Sequence, residues 1–129
     1  MDKHPLHNLA MSEALKSSCE FRLGAVVFKG RKHILAVGHN HRRTHPLAKC
    51  IREDESEANT THAELDALIG CRWYDSVQGA SIFVARLRAD GSAGTARPCD
   101  QCQNILRETG IKRMYYTTGN GDEFAMEKL

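Results

Sequence analysis

The sequence predicts an α/β fold in which helices cover a mixed sheet of about five strands. Three observations carry that prediction. Runs rich in Val, Ile and Phe alternate with segments of helical period in the order α-β-β-α-β-α-β. The polar turn Lys29-Gly30-Arg31-Lys32 separates the first two apolar runs as in a hairpin. A length of 129 residues, 41% hydrophobic and 26% charged, suits one globular domain over residues 1–129.

Each element has a local reason. Residues 6–15 carry Leu6, Leu9, Ala10 and Ala14 at close to helical spacing, and Pro5 stands where a helix can start. Residues 22–28 and 34–38 are the two hairpin strands. Residues 39–60 show no periodicity, and a loop that long is commonly functional. Thr61 opens a second helix with Leu65, Leu68 and Ile69 on one face and Gly70 near its end. Residues 81–87 read as the third strand. A stretch rich in small residues, 89–96, then leads to Pro98 and to a helix that keeps Cys102, Ile105 and Leu106 on one face until Gly110 stops it. Residues 113–117 are the fourth strand, and both later helices are expected to be crossovers between parallel neighbours. The turn-rich Thr118-Gly119-Asn120-Gly121-Asp122 leaves no room for another crossover helix. Residues 123–128 therefore either return as an antiparallel strand or form a terminal helical turn.

Eighteen Lys and Arg against 16 Asp and Glu, a net charge of +2, is too mild for bulk binding to nucleic acid or membranes. The apolar run Ala25-Val26-Val27-Phe28 is far short of the roughly 20 residues that span a bilayer. No apolar stretch follows a basic start at the N-terminus, so a cytoplasmic protein is expected. The charge is nevertheless uneven. Lys29, Arg31, Lys32, Arg42, Arg43, Lys49 and Arg52 occur with four histidines and no acid, and Glu53, Asp54, Glu55 and Glu57 follow at once. The segment reads either as a solvated charged loop or as a phosphate-facing patch, in which Arg42 and Arg43 contact the phosphate of a nucleotide.

Five cysteines, an odd number without an export signal, argue against a disulfide framework and for metal binding. Only Cys99 and Cys102 have C-x-x-C spacing, which by itself reads as a redox dithiol, half a structural zinc site or half a catalytic one. The rest of the chain narrows the choice. Thr61-His62-Ala63-Glu64 opens one helix and Pro98-Cys99-Asp100-Gln101-Cys102 opens the next, with a strand between them. In a parallel sheet both helix starts meet at the edge where ligands bind. One imidazole and two thiolates then offer three ligands suited to zinc, and the positive end of the second of these helices favours the thiolates. Glu64 would stand over the open position of the metal, or would merely close its helix as the acid of a Thr-x-x-Glu capping box.

His62-x-Glu64, followed 37 residues after the histidine by Pro98-Cys99-x-x-Cys102, matches the signature of zinc-dependent nucleobase deaminases. On these motifs the chain resembles the cytidine deaminase-like superfamily from about residue 21 to residue 117. The resemblance implies the three-layer α/β/α fold of that superfamily, zinc held by His62, Cys99 and Cys102, and a hydrolytic deaminase in which Glu64 shuttles protons. It further implies that Asn40 contacts a sugar, that the Ala63 N–H and the carbonyl at Pro98 orient the base, and that the protein is a homo-oligomer. Residues 86–97 make a longer lip before the Pro-Cys motif than tRNA adenosine or deoxycytidylate deaminases usually have. The terminal hairpin instead resembles the branch that includes free-cytidine and blasticidin deaminases and deaminase toxins. The expected substrate is a cytosine-type nucleoside or nucleotide. The alternatives are another base, a base within DNA or RNA, or a structural zinc module whose fourth ligand is Cys71 or His45.

Overall fold

A computed structural model of the chain describes residues 4–17, 22–30, 33–40, 67 and 78–129. Numbered along those residues, the elements are α1 (His7–Leu15), β1 (Arg22–Lys29), β2 (His33–His39), β3 (Ser81–Leu87), β4 (Ala93–Gly94), α2 (Asp100–Thr109), β5 (Arg113–Thr117) and β6 (Phe124–Lys128). The strands form one sheet in the order β2-β1-β3-β5-β6, with β4 paired to β3 beside that path.

The mixed sheet is the one expected, with one correction to its connections. β3 lies antiparallel to β1, whereas β3 and β5 are parallel. Thus α2 does cross between parallel neighbours, but the chain from β2 to β3 joins strands that are not adjacent. The cause is relative burial within the first hairpin. Gly24 through Phe28 of β1 are all buried, whereas only Gly38 of β2 is. The more apolar strand takes the centre, and β3 pairs with its remaining edge, antiparallel to β1 as β2 is.

Alternation along the strands builds two cores. Val26, Phe28, Phe83 and Ala85 face α1 with Leu6 and Ala10, and Tyr115 and Phe124 pack against them. Val27, Ile82, Val84 and Met114 face the other way, onto Ile105 and Leu106 of α2. Ala67 is helical, fully buried and part of that second core. It falls within the second expected helix; the other residues of that expectation and most of residues 39–60 lie outside the described residues.

Residues 124–128 are the antiparallel strand rather than a helical turn, paired from Thr117↔Phe124 to Arg113↔Lys128. Pairing satisfies a row of β5 backbone groups that a terminal turn would leave open. The small-residue stretch is also more ordered than a loop. It doubles back as β4, with Arg86 opposite Gly94 and Leu87 opposite Ala93. Its tip is closed by Asp90, whose carboxylate accepts the Ser92 N–H at 2.9 Å and the Ser92 hydroxyl at 2.6 Å. These bonds hold the Asp90 carboxyl below its ordinary range. Among the described residues no helix is long and apolar enough to cross a membrane.

His4 gives the α1 side a pH dependence. Its ring is 7% exposed, stacks on Phe83 at 4.5 Å between centroids and meets Phe124 edge-on at 5.1 Å. Its Nδ1 accepts the Leu6 N–H at 3.0 Å, so the neutral ring carries its proton on Nε2. Burial first, and repulsion from His7 second, push its pKa from 6.5 down to about 4. The folded ring thus stays neutral where the unfolded one takes up a proton. Stability is full above pH 6.5 and is lost as the pH falls toward 4, by no more than about 3 kcal/mol from this group. Urea midpoints measured between pH 7 and pH 4.5 are expected to fall in the wild type and to fall less in His4→Phe. Equal slopes would remove His4 as the cause.

Candidate active site

β3 and β5 end at the same edge of the sheet because they are parallel. β1 starts there, since Arg22 lies opposite Leu87. That edge collects the described members of the expected site. Asn40 follows β2, is 7% exposed, and is fastened to β1 twice. Its N–H donates to the Leu23 carbonyl at 3.1 Å, and its Oδ1 accepts the Leu23 N–H at 2.9 Å. The second bond orients the amide and leaves its NH2 end as the donor side.

Cys99 and Cys102 open α2, though not both within its first turn. Cys99 is the N-cap, in extended conformation, and its carbonyl accepts the Gln103 N–H at 2.9 Å. Cys102 is the third helical residue. An N-cap side chain and the third helical residue are the two positions that a capping box brings together. The spacing therefore puts both thiols on one side of the helix start, Cys99 exposed and Cys102 buried at 2% exposure. Two such sulfurs, one at the surface and one anchored in the core, fit two corners of a tetrahedral zinc site. Among the described residues no third ligand joins them. His62, Ala63, Glu64, Arg42 and Arg43 lie outside the described residues.

Pro98 is buried, and its carbonyl accepts Gln103 Nε2–H at 2.8 Å. Gln103 was not among the residues expected to matter. Its signal was a glutamine placed among the inward positions Cys102, Ile105 and Leu106 of α2. A carbonyl oxygen has two lone pairs, so this bond fixes the group without exhausting it.

The expected lip is present and is stitched to the end of β5. The buried Thr117 hydroxyl donates to the Gly94 carbonyl at 2.5 Å and accepts the Arg86 N–H at 3.3 Å. The Ala96 N–H donates to the Thr117 carbonyl at 3.0 Å, and the Thr95 hydroxyl donates to the Thr118 carbonyl at 2.9 Å. Just before Pro98, the Arg97 guanidinium meets both oxygens of Glu127 on β6, with Nε to Oε2 at 2.7 Å and Nη2 to Oε1 at 3.1 Å. The Tyr116 hydroxyl donates to the same Oε2 at 2.5 Å. Arg97 first, and then Tyr116, push the Glu127 carboxyl down to about 2, while Glu127 raises Tyr116.

A family model described as the cytidine and deoxycytidylate deaminase zinc-binding region matches residues 2–118. The chain belongs to the cytidine and deoxycytidylate deaminase family. The chain is 29% identical over 124 residues to the deoxycytidylate deaminase of Mycobacterium phage D29, a match covering 84% of the chain and 88% of that protein. It is 30% identical over 109 residues to ComE operon protein 2 of Bacillus subtilis (strain 168), a match covering 80% of the chain but only 52%, about half, of that relative's length. In fold the deaminase chain is similar to the crystal structure of cytidine deaminase from Burkholderia pseudomallei. That likeness has a TM-score of 0.67 and 20% identity, and covers 99% of this chain and 93% of that one.

Proposed function

We propose that this enzyme converts a cytosine-type nucleotide or nucleoside, with one water, to the uracil form and ammonia, and that a zinc ion serves the reaction. The observation that carries the reading is the pair Cys99 and Cys102 at the start of α2, on the sheet edge that Asn40 also reaches. His62, Cys99 and Cys102 would hold zinc, which when bound supplies a water ionised near neutral pH beside the amine-bearing carbon. Glu64 would accept the proton that the water gives up and pass it to the ring nitrogen next to the amine-bearing carbon, then carry the water's second proton to the amine, which would leave as ammonia while the oxygen stays on the carbon. The Asn40 NH2 donates to a sugar hydroxyl, and the Ala63 N–H and Pro98 carbonyl align the base. Arg42 and Arg43 meet the phosphate when the substrate is a nucleotide, a choice supported by the deoxycytidylate activity named for the phage relative. Homo-oligomeric assembly and a cytoplasmic setting belong to the same proposal.

Ammonia release on a panel of cytosine and adenine nucleosides, their monophosphates and single-stranded oligonucleotides tests it. Turnover is expected with cytosine monomers. Arg42→Ala with Arg43→Ala is expected to raise KM for the nucleotide more than for the nucleoside, and added salt should mimic part of that difference. Equal effects on both would return these arginines to a solvated loop. Turnover confined to adenine compounds or to oligonucleotides would overturn the substrate reading. No turnover, together with four protein ligands on the metal, would leave a structural zinc module.

A further inference from the structure

We propose that Glu127, on the last strand, is a positioning residue for the Cys99 thiol and acts on it through Arg97. The proposal rests on the reading that Cys99 and Cys102 hold zinc.

The peptide leading into Cys99 is tied at three successive residues. The Ala96 N–H is bonded to the Thr117 carbonyl of β5 at 3.0 Å. The Arg97 side chain is bonded to Glu127 at 2.7 and 3.1 Å. The Pro98 carbonyl is bonded to Gln103 at 2.8 Å. The middle tie reaches across to β6 and differs from an ordinary surface ion pair, which is worth little because both side chains can wander. Here two guanidinium nitrogens, Nε and Nη2, engage both carboxylate oxygens, which sets an angle as well as a distance. The carboxylate is itself held. Glu127 lies opposite Met114, and Tyr116, its diagonal neighbour on β5, donates to it at 2.5 Å.

The link from Arg97 to Cys99 is stiff. Pro98 locks its own φ and restricts the backbone of the residue before it, so the main chain from the Arg97 Cα to Cys99 has little rotational play, and the bond at the guanidinium limits the turning of the side chain that leads to it. Zinc–sulfur bonds tolerate deviations of only a few tenths of an ångström. Releasing Arg97 from β6 therefore lets the Cys99 sulfur drift from its corner of the site, while α2 still holds Cys102 in the core.

The test measures the zinc dissociation constant by competition with a chromophoric chelator, and the thiolate absorption of the cobalt-substituted protein, in the wild type, Glu127→Gln, Arg97→Gln and the double variant. Glu108→Gln, which removes an exposed acid from α2, is the charge control. Either single change is expected to weaken zinc roughly tenfold. The double variant should be no weaker than the worse single one, and the urea midpoint of each metal-free protein should stay near the wild type. Unchanged zinc affinity in Glu127→Gln overturns the proposal. So does a double variant that loses the product of the two single effects, because the residues would then act separately, and so does a metal-free protein destabilised as much as zinc binding is. A wild-type protein that takes up no zinc and shows no cobalt–thiolate band would overturn the zinc reading itself, a result distinct from the others.

Discussion

Glu64→Gln is expected to leave a folded, zinc-loaded protein whose turnover has fallen at least about a thousandfold. General acid–base catalysis is worth roughly a hundredfold to ten-thousandfold, and here one carboxyl is asked for two successive transfers. The substitution separates the two roles that the sequence allows. Glutamine serves as well as glutamate in a capping box that starts at Thr61, so a residue that only closes the helix is replaced without loss. The amide is nearly the same shape but cannot take up and return a proton at neutral pH. Steady-state ammonia release, zinc content and melting temperature should therefore part company in this variant, with only the first collapsing. Glu64→Ala should lose activity and some stability together. A Gln variant that keeps activity within tenfold of the wild type would reduce Glu64 to a cap.

Gly24→Ala is expected to cost about 3 kcal/mol or more, against the usual sign for this exchange. In a strand the change from glycine to alanine normally helps, because it restricts the unfolded chain. At Gly24, however, α1 lies directly on the backbone of β1. A Cβ there would sit 2.0 Å from the Ala10 carbonyl oxygen, 2.6 Å from the Ala14 nitrogen and 3.0 Å from the Glu13 Cβ. Two of these are main-chain atoms, which cannot turn aside as a long side chain can. The helix must lift, and its contacts with Val26, Phe28 and Phe83 loosen with it. Urea unfolding should show a lower midpoint with a large loss of stability. A variant as stable as the wild type would mean that α1 rides over β1 with slack.

The start of α2 was legible in the sequence because its signals are local. The Cys99 and Cys102 spacing and the preceding Pro98 mark a helix start, and the structure puts the two cysteines at the N-cap and the third helical position of α2. Gly110, left-handed at φ 95°, ends that helix where expected. Asn40 was placed by resemblance, and its anchorage to Leu23 across 17 residues of sequence had no local sign. The lip was legible as an insertion and not as a structured hairpin, because Ala93 and Gly94 carry no strand propensity. They pair through their own backbone groups, with β3 and with the side-chain hydroxyl that Thr117 donates to the Gly94 carbonyl.

The sequence by itself determined α1, the first hairpin, β3, α2 and β5 in their order, and the placing of a metal-type motif at a helix start, since each depends on periodicity or turn chemistry within a few neighbouring residues; that residues 124–128 return as a strand was decided by their pairing with β5. The tertiary structure alone decided that β1 is central and antiparallel to β3, because that follows from which strand of the hairpin buries more of its surface against both helical layers. It also decided the contact of Ala10 and Ala14 with Gly24, and the bond of Arg97 to Glu127 across 30 residues of sequence. Each of these joins residues whose separation along the chain carries no period. They meet only when the sheet order and the pleat of the strands set their distance, and that order is an outcome of burying both faces at once.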